Sequence, residues 1–316
     1  MNETFLEIYT DLSVNISGVH FKNPVIAASG TFGKGSEYSK IIDVSRLGGI
    51  CTKGLTMLPR QGNTGIRLWE SPSGLLNSIG LENTGIISFM ENDLPYLRNM
   101  GPVIIANLSG GDTDEYLIGA ELLDQSAVDM IELNISCPNI KAGGMAFGLD
   151  PGTAAAIVAA VRRVCKNKPL IVKLSPNSPN IISVALACVK AGADALSLAN
   201  TFKAIAIDTV NRKPVFDNIT AGLSGPAVKP IVLRMIWELY DALVEEKANI
   251  PIIGIGGIAS TDDALEFLMA GSAAVQVGTA TFVNPHTMTD IIDGIGNYMQ
   301  DNRMSKLSNI SIRNKS

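Results

Sequence analysis

The sequence predicts an α/β protein of one domain, a (β/α)8 TIM barrel, and three observations support this. Eight short apolar runs alternate with longer helical patterns along the whole chain. The runs are rich in Val, Ile, Leu and Ala, which is typical of parallel strands buried on both faces. Eight such units in 316 residues fit one closed barrel. A doubly wound open sheet is the alternative.

The predicted strands are the eight apolar runs, namely Pro24–Ser29, Gly49–Lys53, Val103–Leu108, Met130–Ser136, Leu170–Leu174, Ala195–Asn200, Ile252–Gly256 and Ala274–Gly278. Helical periodicity follows them, most clearly at Pro151–Cys165, Pro179–Lys190 and Thr261–Met269. Glycines at Gly192 and Gly271 end two of these helices just before a strand. This weak repeat agrees with a barrel, although tight loops in any α/β protein produce it too.

Three segments lie outside the regular alternation. Residues 1–22 are expected to form an N-terminal hairpin that closes the bottom of the barrel. Residues 56–85 and 202–225 follow strand C-terminal ends, which form the catalytic face of such barrels. Loops of this length inside a compact domain are usually functional. We therefore expect a single domain over residues 1–316 with two insertions on its catalytic face.

Composition and charge exclude several classes of protein. The net charge of −5 argues against a nucleic-acid or anionic-membrane surface. No apolar run reaches the roughly 20 residues of a membrane helix, and the first residues do not resemble a signal peptide. The four cysteines show no CxxC spacing, so no metal site is expected, and they suit a reducing cytoplasm.

A glycine-rich segment follows the seventh predicted strand. Gly254–Ala259 fits GxGxxA, but no acidic residue for a ribose lies about 20 residues further on, as a dinucleotide fold requires. Together with Gly278 and Thr279 it suits the phosphate site that these barrels build after strands seven and eight. Tight turns without a ligand are the simpler alternative.

The segment from Glu132 to Asn139 contains the candidate catalytic residue. Cys137 falls just past the fourth predicted strand, on the catalytic face. A free thiol has a pKa of about 8.5, so it can serve as a base or a nucleophile close to neutral pH. The alternative is a buried structural cysteine, which is our interpretation of the other three: Cys51, Cys165 and Cys188.

Polar side chains gather at the same end of the predicted barrel. Lys53 and Lys173 end buried strands, where a charge needs an anion or an electron-rich ligand. Four amides accompany them, namely Asn77, Asn107, Asn134 and Asn200. Amides both donate and accept hydrogen bonds, which suits a ring with alternating C=O and N–H groups, such as a pyrimidine or a flavin.

Five motifs, spread in order over nearly the whole chain, resemble the dihydroorotate dehydrogenases: Asn77–Asn83, Asn134–Asn139, Val172–Asn177, Gly222–Pro226 and Gly254–Gly257. The cysteine is similar to that of class 1, because the membrane-associated class carries serine there. The loop Lys141–Gly148 resembles the NAD-linked class 1B catalytic subunit more than the fumarate-linked homodimers of class 1A.

The resemblance implies roles for individual residues. FMN would contact Ser29, Lys53, Gly54, Asn107, Asn134, Lys173, Ala199, Gly225, Gly256, Gly257, Gly278 and Thr279. Substrate would contact Lys53, Asn77, Ser78, Ile79, Gly80, Leu81, Asn134, Asn200 and Thr201. Cys137 would be the catalytic base. Gly54 departs from the family, where a larger residue is frequent, and this puts that one flavin contact in doubt.

The resemblance also implies the reaction and the partner. Dihydroorotate would be oxidised to orotate in pyrimidine biosynthesis, by proton loss from carbon 5 and hydride transfer from carbon 6 to FMN. Electrons would reach NAD through a separate subunit carrying FAD and an iron–sulfur cluster, in a heterotetramer of two of each chain. The alternatives are a fumarate-linked homodimer, a phosphate–sugar barrel without flavin, and a non-catalytic barrel that binds a ligand or scaffolds a partner.

Overall fold

The computed structural model describes residues 10–135 and 147–313. The strands in this part of the chain are β1 (Val14–Ile16), β2 (Val19–Phe21), β3 (Val25–Ala27), β4 (Gly49–Cys51), β5 (Leu68–Ser71), β6 (Gly74–Asn77), β7 (Val103–Leu108), β8 (Met130–Asn134), β9 (Leu170–Lys173), β10 (Ala195–Leu198), β11 (Phe202–Ile205), β12 (Ile207–Asp208), β13 (Lys213–Pro214), β14 (Thr220–Ser224), β15 (Ile252–Ile255) and β16 (Ala274–Val277).

Eight of these strands form a closed parallel barrel in chain order: β3, β4, β7, β8, β9, β10, β15 and β16. The last of them pairs with the first, Val275 beside Val25, so the sheet has no free edge. All eight predicted strands are therefore confirmed, and the open-sheet alternative is wrong. Most of the observed strands are shorter than predicted; Lys53 and Asn200, for example, lie two residues beyond the ends of β4 and β10.

The helices of the described residues surround this barrel. They are α1 (Ile86–Ser88), α2 (Leu94–Met100), α3 (Thr113–Asp124), α4 (Pro151–Val164), α5 (Ile181–Lys190), α6 (Lys229–Glu245), α7 (Thr261–Met269), α8 (Ala280–Val283) and α9 (Thr287–Asp301). A π-helical turn, Phe89–Asp93, joins α1 to α2. Helix α5 begins two residues later than predicted because Asn180 caps it, accepting from the Ser183 amide.

The interior of the barrel is apolar at its N-terminal end. One layer of inward side chains includes Ile26, Ile105 and Ile171, all fully buried. The hairpin of β1 and β2 adds Ile16 and Phe21 to the same cluster, also without exposure to solvent. The hairpin thus covers the bottom layer of the barrel.

The two insertions meet at the opposite end of the barrel. Strands β5 and β6 come from residues 56–85, and β11 and β14 come from residues 202–225. They form one antiparallel sheet in the order β11-β14-β6-β5, with Asn77 paired to Gly222 across the two insertions. This sheet brings together residues that lie 145 positions apart in sequence and gives the C-terminal end of the barrel a wall.

Across residues 10–135 and 147–313, no helix combines the length and the apolar character needed to cross a bilayer.

Replacing Phe21 by Ala tests the role of the hairpin. The side chain is fully buried against the barrel bottom, so its loss should reduce the free energy of unfolding by about 3–5 kcal/mol. The exposed neighbour His20 is the control, and His20→Ala should change stability very little. Urea denaturation of both variants measures this; equal stability would mean that the hairpin does not hold the barrel bottom.

Candidate functional site

A cavity of about 380 Å³ opens at the C-terminal ends of the barrel strands. Its walls are the loops that follow the strands, together with the antiparallel sheet of the two insertions. Most of the residues predicted for the site line it, namely Ser29, Lys53, Gly54, Asn77, Ile79, Gly80, Leu81, Asn134, Lys173, Ala199, Asn200, Thr201, Gly225, Gly256, Gly257, Gly278 and Thr279. The barrel therefore gathers predicted residues from many separate loops into one place.

Two predicted residues are in the structure but do not line the cavity. Asn107 is fully buried below it, and its amide group donates to Glu132 over 2.7 Å. Ser78 is 2% exposed, and its hydroxyl accepts from Asn63 over 3.0 Å. Cys137 and residues 141–146 of the predicted loop lie outside the described residues.

A fully buried carboxylate, Glu132 on β8, lies directly below the floor of the cavity and contacts Lys173 and Gln276, which line it. Five side chains from five other barrel strands donate to it. Oxygen Oε1 accepts from Asn107 at 2.7 Å, Cys51 at 3.2 Å and Lys173 at 3.4 Å, and Oε2 accepts from Ser197 at 2.8 Å and Gln276 at 2.9 Å. The carboxylate therefore links six of the eight barrel strands.

The contacts of Glu132 keep it ionised. Burial alone would raise the pKa of this carboxyl, but the Lys173 ammonium and the hydrogen bonds of Ser197 and Gln276 hold it below its ordinary value of 4.5. An ionised carboxylate accepts hydrogen bonds and donates none. Glu132 was missed as a functional residue, although an acid within the buried run Met130–Ile135 was a usable signal.

The three other cysteines are buried, as predicted for structural residues. Burial, followed by the negative charge of Glu132, raises the pKa of Cys51 well above 9.0. Burial also raises the pKa of Cys165 and of Cys188 to about 12. All three therefore remain protonated thiols near neutral pH and are poor nucleophiles.

Above Glu132, the floor of the cavity carries one cation and a series of amides. Lys173 reaches from the carboxylate to the cavity and is 5% exposed. The Asn134 amide donates to Asn107 over 3.4 Å, and the Asn200 amide donates to Asn134 over 3.3 Å. These bonds fix the orientation of the amides that a ring-shaped ligand would meet.

Glycine loops form the far edge of the cavity. Gly225, Gly256 and Gly257 have φ angles of 93°, 137° and 76°, which favour glycine. A Cβ on Gly257 would lie 2.7 Å from the backbone nitrogen of Lys229, so a side chain cannot be accommodated there. The loop is held in place because Asp263 accepts both from the Ala259 amide, at 2.9 Å, and from Lys229, at 2.6 Å.

The rim of the cavity carries charged residues that the sequence did not single out. Glu82 Oε2 lies 3.0 Å from Arg67 Nη1 and 3.7 Å from Lys53 Nζ. Arg67 and Glu82 both line the cavity and belong to the 56–85 insertion. Arg67 lies outside the five motifs, and Glu82 lies within Asn77–Asn83 but was given no role, since the proximity of both to Lys53 depends on how the insertion folds.

Comparison with known proteins gives one consistent result. The dihydroorotate dehydrogenase family matches residues 11–299. The chain is 56% identical over 300 residues to the dihydroorotate dehydrogenase B (NAD(+)) catalytic subunit of Petrotoga mobilis, covering 95% of this chain and 98% of that one. Proteins of the same name from Geotalea daltonii and Caldicellulosiruptor saccharolyticus are each 50% identical, over 95% and 92% of this chain and 97% and 94% of their own.

Replacing Glu132 by Gln tests the buried ion pair. The change leaves Lys173 without its counter-charge in the barrel interior and should cost about 3–5 kcal/mol of folding free energy at pH 7. The same change at the exposed Glu246, which pairs with Lys190 at 3.0 Å, is the matched control and should have little effect. Urea denaturation of both variants against the wild type measures the difference.

The loss of stability in Glu132→Gln should depend on pH. The pKa of Glu132 is lower in the folded protein than its ordinary value of 4.5. The carboxylate therefore contributes its full stabilisation above pH 4.5 and loses it as the pH falls through the pKa of the folded state. The stability gap between wild type and Glu132→Gln should therefore narrow below pH 4.5. A gap that is constant or widens there would mean that Glu132 is not held as a carboxylate.

Proposed function

This chain belongs to the dihydroorotate dehydrogenase family, and on that premise we propose that it oxidises dihydroorotate to orotate with FMN, in de novo pyrimidine biosynthesis. The observation that carries the proposal is the cavity itself. Its floor presents the ammonium of Lys173 among oriented amides, and its far edge is a glycine cradle. A redox ring with a phosphate at one end is the kind of ligand that such a cavity suits.

The cavity fits FMN on structural grounds. The cradle of Gly225, Gly256 and Gly257 would lose its shape if these residues had side chains, since a Cβ on Gly225 would lie 3.0 Å from the Cα of Gly74. Backbone amides can approach a phosphate in such a loop. At the other end, Lys173 offers a positive charge to the ring, and Asn134 offers an amide.

The residues proposed to hold FMN fall into two groups. Those near the ring are Ser29, Lys53, Gly54, Asn107, Asn134, Lys173 and Ala199, and those of the glycine loops are Gly225, Gly256, Gly257, Gly278 and Thr279. Asn107 lies below the cavity in this structure, so we assign its contribution to orienting Asn134, with which it shares a hydrogen bond.

The residues proposed to hold the substrate lie nearer the insertion sheet. They are Lys53, Asn77, Ser78, Ile79, Gly80, Leu81, Asn134, Asn200 and Thr201. Lys53 supplies the positive charge for the substrate carboxylate, and the asparagines bind the C=O and N–H groups of the ring. Ser78 contributes indirectly, because its hydroxyl holds Asn63 beside Gly80.

FMN supplies the site with a ring that accepts a hydride. The protein's own tasks are to remove the proton from carbon 5 of dihydroorotate and to fix the substrate for hydride loss from carbon 6. Cys137, two residues after Ile135, is the proposed base. Lys173, kept in place by Glu132, would present its positive charge to a redox ring bound at the cavity floor. The amides at the cavity floor would also hold the substrate in position for the reaction, which lowers the activation barrier.

We propose that electrons pass from this chain to NAD through a second subunit. The relatives are named as catalytic subunits of NAD(+) enzymes, which supports a partner for this chain. We propose an iron–sulfur flavoprotein with FAD, in a cytoplasmic heterotetramer of two of each chain. Apolar surface is present at the cavity edge, where Phe282 is 52% exposed, and the next residue, Val283, is 88% exposed.

Replacing Cys137 by Ala tests the assignment of the base. The variant should retain FMN, but dihydroorotate should reduce the flavin roughly a hundred- to ten-thousand-fold more slowly, which is the usual contribution of a general base. Cys188→Ala, at a buried position on α5, is the control and should reduce normally. Anaerobic stopped-flow absorbance measures both rates; a normal rate for Cys137→Ala would assign the base to another group.

The partner is tested with the native protein. The isolated chain should be reduced by dihydroorotate but should reduce NAD only when the co-purified subunit is added back. Val283→Asp should weaken that association, whereas Val210→Asp, equally exposed at 88% but in the β12–β13 turn, should not. NAD reduction by the isolated chain would contradict the two-subunit assignment, and rapid turnover with fumarate alone would favour the homodimer branch.

A further inference from the structure

Gln276 on β16 is a further polar group at the cavity floor, beside Lys173 and the asparagine amides. It lies in a buried strand between Val275 and Val277 and is 1% exposed, yet it lines the cavity. A buried polar side chain in the interior of a barrel strand needs partners for both ends of its amide. Gln276 has a partner at only one of them in the part of the chain that the structure describes.

The orientation of the Gln276 amide is set by Glu132. Its Nε2 donates to Glu132 Oε2 over 2.9 Å. The reverse orientation would place an amide oxygen against a carboxylate oxygen, and two acceptors cannot form a hydrogen bond. Because Glu132 is held as a carboxylate, the amide of Gln276 cannot flip, and its Oε1 remains an acceptor.

Gln276 Oε1 is buried and finds no hydrogen-bond partner among the described residues. The other two buried atoms in that condition, the hydroxyl oxygens of Ser109 and Ser272, belong to residues that do not line the cavity. A hydroxyl can rotate to seek a partner, whereas the carboxamide oxygen of Gln276 is fixed by the bond at its other end. Its open position is therefore an acceptor built into the floor of the cavity.

We propose that Gln276 is a recognition residue, whose Oε1 accepts a hydrogen bond from an imide N–H of the ring bound at the cavity floor. This inference rests on the proposed function. Lys173 donates to one oxygen of Glu132 and Gln276 to the other, so one carboxylate orients both groups. The floor therefore offers a donor and an acceptor together, which complements the C=O and N–H of an imide edge.

Two rings of the proposed reaction carry an imide N–H, the flavin and the pyrimidine. Gln276→Met removes the acceptor with little change in volume. Ser197→Ala is the matched control, because Ser197 donates to the same oxygen of Glu132, is fully buried and does not line the cavity. Any effect of weakening the Glu132 cluster should appear in both variants, and loss of recognition only in the first.

The experiment measures binding and does not depend on turnover. Apoprotein of the wild type and both variants is titrated with FMN and with 3-methyl-FMN, which lacks the imide N–H, and the FMN-loaded proteins are titrated with orotate. Flavin fluorescence and absorbance report the Kd values, and thermal melting checks that each variant is folded. If the flavin is the ring that Gln276 recognises, the wild type should bind FMN at least about tenfold more tightly than 3-methyl-FMN, as expected for one buried hydrogen bond.

The outcomes separate the two rings. If Gln276→Met loses the preference for FMN while Ser197→Ala keeps it, Gln276 recognises the flavin. If only the affinity for orotate falls about tenfold in Gln276→Met, it recognises the pyrimidine. Gln276→Met behaving like Ser197→Ala in all titrations would overturn the proposal. If Gln276→Met does not fold, equal wild-type affinity for the two flavins would overturn the flavin assignment. A wild-type chain that takes up no FMN would overturn the proposed function as well.

Discussion

The ion pair of Glu132 and Lys173 lies inside the barrel, where neither charge is exposed to more than a trace of solvent. Removing two charges from water costs several kcal/mol for each ion, and their attraction offsets this only with good geometry and further hydrogen bonds. The structure supplies those bonds from Cys51, Asn107 and the two residues that reach Oε2. The pair is therefore a constraint on the whole barrel, because the two charged residues and their four partners lie on six different strands.

The same arrangement gives the side chains at the C-terminal end of the barrel fixed orientations toward a ligand. Parallel strands end together, so residues far apart in sequence meet at one edge, and Glu132 fixes the direction of those at the floor. The two insertions pair as a sheet above that floor. On the remaining side, Lys229 and Asp263 hold the glycine loop. The floor, the wall and the cradle are thus each fixed by contacts among the protein's own residues, which favours a cavity that is formed before a ligand binds.

Much of this could be predicted from the sequence. The eight strands followed from buried apolar runs, and the family predicted from five motifs is confirmed by the match over residues 11–299. Most predicted site residues line one cavity. The acid at Glu132 was a usable signal in the sequence, but the hydrogen-bond partners of Glu132 and Gln276 could not be predicted, because other strands supply them once the barrel has closed. The position of Arg67 beside Glu82 likewise depends on the fold of an insertion whose sequence has no regular pattern.

We propose that this cavity holds a flavin that dihydroorotate reduces. The most direct measurement is anaerobic addition of dihydroorotate to the purified wild-type chain, followed by the flavin absorbance and by the amount of orotate formed. The proposed function predicts a yellow protein whose flavin bleaches, with one orotate produced for each flavin. A colourless protein, or a flavin that stays oxidised at saturating dihydroorotate, would contradict it.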